Sequence, residues 1–168
     1  MSKFSITGFS LLELLIALAV TGILASVAYP AYTDSMRKGR RAQGRVAIAE
    51  VLQQQERYMT QYNCYMAFTT DVNGAAAPVE NSECGVTATT QVPFKPFAGD
   101  SVAAASHLLS ATACAGSAVS PSLKECVRVE ARPVLADPGA GTLWMASTGA
   151  KGCTPENGTT IGMETCWP

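Results

Sequence analysis

Histidine and closely spaced cysteines, the usual ligands of structural zinc, are scarce in this sequence of 168 residues. His107 is its one histidine, and none of its six cysteines stands in a C-x-x-C pair, so a metal site is poorly supported. The sequence also lacks a glycine-rich phosphate loop, and no Ser/His/Asp or Cys/His combination stands out. We therefore expect a protein that is not an enzyme and binds no cofactor or metal, with His107 in a structural role.

Charge is almost absent from residues 9–33, where Glu13 is the single charged residue. At about 1.5 Å per residue this stretch would form roughly 37 Å of helix, enough to cross a bilayer core about 30 Å thick. A chain of this length could hardly enclose a helix that is apolar all round. The stretch therefore predicts a membrane-spanning helix, and a secretory signal peptide cut after Ala28 is the alternative.

Two features argue against an ordinary signal peptide. The only positive side chain ahead of the apolar stretch is Lys3, and a carboxylate, Glu13, lies near the start of the stretch. Insertion scales assign about 2.5–3.5 kcal/mol to a charged residue at mid-membrane, so such residues usually have a function and a partner. Glu13 is therefore a candidate functional residue.

All six cysteines follow the apolar stretch. An even number in a small domain indicates disulfide bonds and an oxidising compartment. Six cysteines allow about 15 pairing patterns, and the sequence alone does not choose among them. We favour sequential pairing because the closed loops are then short. The pairs would be Cys64 with Cys84, Cys114 with Cys126, and Cys153 with Cys166.

Basic residues directly after the apolar stretch give a conflicting indication of orientation. Residues 34–62 carry six Lys/Arg against three acidic residues, whereas residues 63–168 carry five against nine. The positive-inside rule would place the first group in the cytoplasm. Disulfide bonds rarely persist there. We give the six cysteines more weight and expect the region after the apolar stretch to lie outside the cytoplasm.

Periodic patterns predict an α+β fold. Residues 34–62 continue as an amphipathic helix. Its apolar stripe would comprise Ile48, Leu52, Gln55, Met59 and Tyr62. Alternation at 127–132 is the clearest strand signal, and 109–113 and 143–147 are further candidates. We expect these strands to form a small antiparallel sheet with one face on the helix and one toward water. We interpret 64–105 as a long loop held by cysteine, with room for a short strand.

The segment 8–16 reads GFSLLELLI and resembles the cleavage motif of type IV pilins and of type II secretion pseudopilins. The shared pattern is a glycine, then an aromatic residue, then a glutamate five positions after the glycine. The resemblance implies that prepilin peptidase cuts after Gly8 and that Phe9 becomes an N-methylated terminus. Glu13 would then pair with the Phe9 amine of a neighbouring subunit and set the register of the filament.

The likeness to pilins continues along the chain. Gly22 and Pro30 resemble the points where a pilin helix breaks, since Gly weakens a helix and Pro removes a backbone bond. Residues 56–65 and 141–149 resemble PilE-like minor pilins. The implied type IV pilin fold has four parts. They are a leader peptide at 1–8, a hydrophobic transmembrane and filament-core helix at 9–33, an amphipathic helix half at 34–62, and a globular head with disulfide-stapled loops at 63–168.

The resemblance implies a structural subunit, major or minor, of a type IV pilus that supports adhesion, twitching motility or DNA uptake. Expected partners are other pilin subunits, prepilin peptidase, the inner-membrane pilus assembly machinery, and membrane lipid before assembly. The head would lie in the periplasm before assembly and at the cell surface afterwards. Two alternatives stay open. One is a DNA-binding minor pilin, with Arg128 and Arg132 on one strand face as candidate contacts, and the other is a type II secretion pseudopilin.

Overall fold

A computed structural model of the protein describes residues 10–114, 122–155, 158 and 162–168. The predicted cleavage residues Gly8 and Phe9 lie outside the described residues. The chain divides into two compact units, Met1–Lys38 and Gly39–Pro168, and each is described by itself. The four-part division expected of a pilin stays a prediction.

A long helix, α1, spans Leu11–Tyr62 and contributes residues to both units. It runs without interruption through Gly22 and Pro30, so a helix break at these positions in an assembled filament stays a prediction. In the first unit its leucine, isoleucine and valine side chains are exposed. α1 is long and apolar enough to cross a membrane, in agreement with the expectation from the sequence.

Polar side chains of the apolar stretch bond to α1 itself. The hydroxyls of Thr21, Ser26 and Thr33 donate to backbone carbonyls three or four residues earlier, at 2.7 to 2.9 Å. Such local bonds satisfy hydroxyl groups where water is absent. Glu13 is exposed in the first turn of α1, where the helix dipole favours a carboxylate. Its carboxylate is therefore accessible to a group on another chain.

The second unit contains an antiparallel sheet. Its strands are β1 Phe68–Thr70, β2 Ala76–Pro78, β3 Phe97–Ala98, β4 His107–Ala113, β5 Val127–Pro133, β6 Thr142–Ala146 and β7 Lys151–Thr154. The strand order is β2-β1-β4-β5-β6-β7, and β3 pairs with β4. A short helix, α2, covers Met163–Cys166. The predicted α+β fold is confirmed, and the three predicted strands correspond to β4, β5 and β6.

Burial along β5 follows the alternation of its sequence. Val127, Val129 and Ala131 are fully buried, and they share one hydrophobic core with Ile48 and Val51 of α1. Burying each such aliphatic side chain contributes about 1.5–3 kcal/mol. One face of the sheet therefore packs on α1 and the other faces solvent, as the pattern predicts.

The predicted stripe of α1 is correct for Ile48, Leu52 and Gln55, which are buried, and wrong for Tyr62, which is 59% exposed. α1 ends at Tyr62, and Asn63 adopts a φ of 53°, which turns the chain away from the helix direction. A stripe continues only while the helix has a neighbour to pack on. Tyr62 instead stacks on Tyr58, with ring centroids 4.3 Å apart.

The interpretation of residues 64–105 as a long loop with room for a short strand understates their regular structure. The segment contains β1, β2 and β3, together with two short 3-10 turns at Ser82–Cys84 and Val102–Ala104. These strands have only two or three residues. Alternation needs about four or more residues to be visible, so the sequence pattern could not show them. β7 and α2, with four residues each, were also missed.

The six cysteines form the sequential pairs Cys64–Cys84, Cys114–Cys126 and Cys153–Cys166. The partners are separated by 20, 12 and 13 residues. Loops of this size contribute about 3 kcal/mol each in the chain-entropy model. The disulfides therefore close three short loops of the second unit.

Gln55 joins α1 to the chain just before β1. Its side-chain Nε2 donates to the Met66 carbonyl at 2.6 Å, and its Oε1 accepts from the Met66 N–H at 3.0 Å. Both residues are almost completely buried. One amide side chain thus satisfies the two backbone polar groups of Met66, as a neighbouring strand would.

We expect Gln55→Met to destabilise the protein by about 2–4 kcal/mol, because both backbone groups of Met66 would stay buried without a hydrogen bond. Urea unfolding of the full-length protein in a non-ionic detergent measures the change. Gln53→Met is the matched control, since Gln53 is exposed on the same helix. Equal stability of the two variants would contradict the role of Gln55.

Candidate nucleic-acid interface

The solvent face of the sheet carries a row of charged residues along β5. Arg128, Glu130 and Arg132 alternate with the buried residues of this strand, so all three lie on the solvent face. In the strand register, Glu130 lies between Ser110 of β4 and Trp144 of β6. The sequence prediction that Arg128 and Arg132 share one strand face is therefore correct.

Arg128 is held by an aromatic ring and a carboxylate. Its guanidinium carbon lies 4.3 Å from the centre of the Trp144 ring, and its Nε lies 2.9 Å from Glu130 Oε1. Within the described part of the chain, Nε makes no hydrogen bond of normal geometry, so the contact with Glu130 is ionic. Stacking of this kind contributes about 0.5–2 kcal/mol. These two contacts therefore restrain the guanidinium of Arg128.

Trp144 owes its position to a glycine on the neighbouring strand. Gly152 lies opposite Trp144 in the register of β6 and β7. A Cβ at Gly152 would come within 2.6 Å of Trp144 Cζ2, which no real side chain tolerates. Trp167 Nε1 also donates to the Gly152 carbonyl at 2.9 Å. Only glycine lets the ring of Trp144 lie across β7.

Two concavities lie on this face of the sheet. The first has a volume of about 420 Å³, and its lining includes Arg128, Trp144, the carboxylate-bearing Glu125 and the Cys114–Cys126 disulfide. The second has a volume of about 260 Å³ and contains Arg132. Its polar lining consists of hydroxyl groups and one carboxylate, from Thr69, Thr70, Ser110, Thr142 and Glu130. The two arginines thus have different surroundings, one aromatic and one rich in hydroxyls.

Two of the basic residues that follow the apolar stretch in α1, Arg41 and Arg45, have a structural role. Arg41 is buried and binds Asp137 with two bonds, Nε to Oδ2 at 2.6 Å and Nη2 to Oδ1 at 2.8 Å. Arg41 Nη1 also donates to the Thr165 carbonyl at 3.0 Å, and Arg45 Nη1 donates to the Cys166 carbonyl at 2.9 Å. These arginines join α1 to the C-terminal segment, so they are poor candidates for phosphate contacts.

His107 is the first residue of β4, and its side chain is buried against α1. A Cβ at Gly44 of α1 would lie 3.0 Å from the His107 ring, and Ser106 Oγ lies 3.2 Å from its Nδ1. Burial is the main cause that lowers the pKa of His107 to about 4. The Asp137 carboxylate opposes it by raising the pKa, and the Arg40 guanidinium adds a smaller lowering. The ring is therefore neutral at neutral pH.

We expect the protein to lose stability as the pH falls from about 6.5 to about 4. The unfolded chain protonates His107 near pH 6.5 and the folded protein only near pH 4, so acid favours the unfolded state across this range. The gap corresponds to roughly 3 kcal/mol. Urea unfolding across the range measures the loss, which should be much smaller in His107→Gln. The same pH dependence in both proteins would contradict this account.

The structure places the sequence-predicted site residues apart. Glu13, Gly22 and Pro30 lie on separate turns of α1, while Gly8 and Phe9 lie outside the described residues. The six cysteines come together only as three pairs. Within one chain these residues form no common site among the described positions, so the expected role of Glu13 concerns contact between subunits.

Sequence reasoning missed Trp144 as a site residue and Arg41 as a buried structural residue. The pairing of β5 with β6 brings Trp144 beside Arg128. The alternation in β6 and the glycine that faces Trp144 were the features that could have indicated it. Arg41 meets Asp137 across 96 residues of sequence, and no local pattern indicates such a pair.

Comparison with known proteins agrees with this architecture. A model of the prokaryotic N-terminal methylation motif matches residues 4–29. A second model, described as type IV minor pilin ComP, DNA uptake sequence receptor, matches residues 30–129. The fold and both matches define a type IV pilin. Within that class, the chain belongs to the family of the type IV minor pilin ComP.

Curated relatives match the chain over a short segment. The type IV major fimbrial protein FimA and a fimbrial protein, both of Dichelobacter nodosus, are 45% identical to it over 56 residues. The match covers 29% of this chain and 35% of each relative, so it spans about a third of their length. No solved structure gives a significant match. The predicted membership of the type IV pilin family is confirmed by the two family models.

Proposed function

We propose that this chain is a minor subunit of a type IV pilus and that its globular unit binds DNA during uptake. The observation that carries the proposal is the pair Arg128 and Arg132 on the solvent face of the sheet, in a chain whose family is described as a DNA uptake sequence receptor. The family match also favours a pilin over a type II secretion pseudopilin and over a secreted protein with a plain signal peptide.

Assembly would bury the apolar part of α1. This stretch exposes its leucine, isoleucine and valine side chains, which lipid can cover before assembly and neighbouring subunits can cover afterwards. Prepilin peptidase would cut between Gly8 and Phe9, and the inner-membrane machinery would add the subunit to other pilins. The second unit, with its three disulfides, would lie in the periplasm and then at the cell surface.

DNA binding by this unit would depend on local charge rather than on net charge. Residues 63–168 carry five basic against nine acidic residues, so the whole unit does not attract DNA at long range. Arg128 and Arg132 are four residues apart on one strand, which places their Cα atoms about 13 Å apart. Two arginines neutralise at most two phosphates, which would give weak binding with a shallow salt dependence. We expect affinity to fall by no more than about fourfold for each doubling of salt.

The role of the two arginines is tested with the double variant Arg128→Ala/Arg132→Ala of the full-length protein in a non-ionic detergent. Gel shift of a short DNA duplex at low salt should show binding by the wild type and at least a tenfold loss in the double variant. Arg57→Ala is the matched control, because Arg57 is exposed on α1 and its loss removes charge elsewhere. A wild type that shifts no duplex at low salt would overturn the proposed DNA binding.

A further inference from the structure

We propose that the two arginines of β5 divide the recognition of DNA between them, with Arg128 reading the edge of a guanine base and Arg132 contacting the phosphate backbone. This inference rests on the proposed DNA binding. It makes Arg128 a residue that determines sequence preference, and it makes Arg132 a residue that supplies affinity for any sequence.

The geometry of Arg128 suits a base edge. The contact with the Trp144 ring and the ion pair of Nε with Glu130 restrain the guanidinium. The two Nη nitrogens of a guanidinium form a planar fork of donors, which matches the N7 and O6 acceptors of guanine in the major groove. A fork that is already oriented loses little conformational freedom on binding. A lysine has the same charge but lacks this planar fork.

The surroundings of Arg132 suit a phosphate. Arg132 is exposed, and it shares its concavity with the hydroxyl-bearing residues Ser110, Thr142 and Thr69 and with one carboxylate, that of Glu130. Arginine and hydroxyl groups are common partners of phosphate oxygens, and such contacts carry no base information. A mobile charge is sufficient there, because a phosphate accepts hydrogen bonds from many directions.

The spacing of the two arginines allows a base contact and a phosphate contact at the same time. Their Cα atoms lie about 13 Å apart along β5, a distance comparable with the major-groove width of about 12 Å. Arg128 can therefore enter the groove while Arg132 lies at a phosphate on its edge. Glu130 stands between them and repels a phosphate at that position, which favours this register over one with both arginines on the backbone.

The test is selection of bound sequences from a pool of randomised DNA duplexes by the full-length protein in a non-ionic detergent. The wild type should enrich a motif with a guanine at a fixed position. Arg128→Lys should reduce the preference for that guanine by about 5- to 150-fold and leave the salt dependence unchanged. Arg132→Lys is the matched control on the same strand and should keep the motif.

Two further variants separate the tasks from effects on folding. Trp144→Leu keeps Arg128 but removes its stacking partner, and should also weaken the guanine preference without changing the salt dependence. Arg132→Ala should weaken binding to all duplexes alike and lower the slope of log affinity against log salt by about 1. Thermal unfolding of each variant checks that the fold is kept.

Several outcomes would overturn the inference. A wild type that binds duplexes without enriching any base would do so, as would an Arg128→Lys variant that keeps the full guanine preference. In both cases DNA binding itself would stand. If the wild type binds no duplex even at low salt, the proposed function fails instead, and the two failures are thereby distinguished.

Discussion

Glu13→Ala should abolish filament assembly while the variant still enters the membrane. We expect cleavage after Gly8 to create a cationic amine on Phe9, and a carboxylate buried among apolar helices needs such a partner. Removing one member of a buried ion pair costs about 3–5 kcal/mol, since the other charge is left uncompensated. A loss of this size at every subunit contact would prevent a long filament from forming.

A second variant distinguishes charge pairing from simple membrane retention. Glu13→Ala also removes a polar group that costs about 2.5–3.5 kcal/mol in the membrane, so the variant could stay in the bilayer for that reason alone. Glu13→Gln keeps a polar side chain but has no charge, and it should fail as Glu13→Ala does. Glu50→Gln is the control, because Glu50 is exposed on α1 in the second unit.

Filaments sheared from cells and membrane fractions are compared for each Glu13 variant by immunoblot. Wild-type amounts of sheared subunit with either Glu13 variant would contradict the pairing. Loss from both the membrane and the sheared fraction would also contradict it, because the defect would then precede assembly.

Arg41→Ala should destabilise the second unit by about 3–5 kcal/mol. The side chains of Arg41 and Asp137 are each only 10% exposed, so the substitution leaves the Asp137 carboxylate without its main counter-charge. Arg41 also packs closely on the backbone of Gly139, where a Cβ would lie 2.6 Å from Arg41 Nη2. The bond from Arg41 to the Thr165 carbonyl is lost as well.

The size of this effect can be checked with a double substitution. Arg41→Met/Asp137→Leu replaces the ion pair by apolar side chains and should recover much of the lost stability, since no buried charge remains. Lys38→Ala removes the exposed pair with Asp34, whose side chains are 70% and 56% exposed, and should change stability by less than about 1 kcal/mol. Urea unfolding of the full-length variants gives all three values.

A result in which Arg41→Ala and Lys38→Ala have equal stability would show that the Arg41–Asp137 pair does not hold the unit together. Hydrogen exchange offers an independent readout. Amides that exchange by local opening should exchange faster in α2 and around Asp137, because Arg41 contacts both segments.

The sequence predicted those parts of the fold that have a local period. Residues 127–132 alternate strictly, and the structure shows the corresponding strand with its apolar residues on α1. The apolar stretch of α1 was equally clear, because its composition alone requires lipid or other helices around it. Short loops between cysteines likewise indicated the pairing that the structure contains.

Features that depend on distant residues could not be predicted. From the sequence, Arg41 is one of several basic residues that follow the apolar stretch. In the structure it is buried and paired with Asp137, which is 96 residues away in sequence. Arg128 was recognised as a surface cation, but its orientation depends on Trp144, which only the strand register brings beside it. Such side-chain contacts depend on residues that are distant in sequence, so no periodic pattern in the sequence indicates them.

Mass spectrometry of filaments sheared from the cell surface tests the central claim most directly, because it shows whether this chain becomes a processed pilus subunit. The account predicts a mature protein that begins with N-methylated Phe9, carries the disulfides Cys64–Cys84, Cys114–Cys126 and Cys153–Cys166, and is present in small amounts beside another pilin. A mature protein that begins at Tyr29, or its absence from the filaments, would contradict the account.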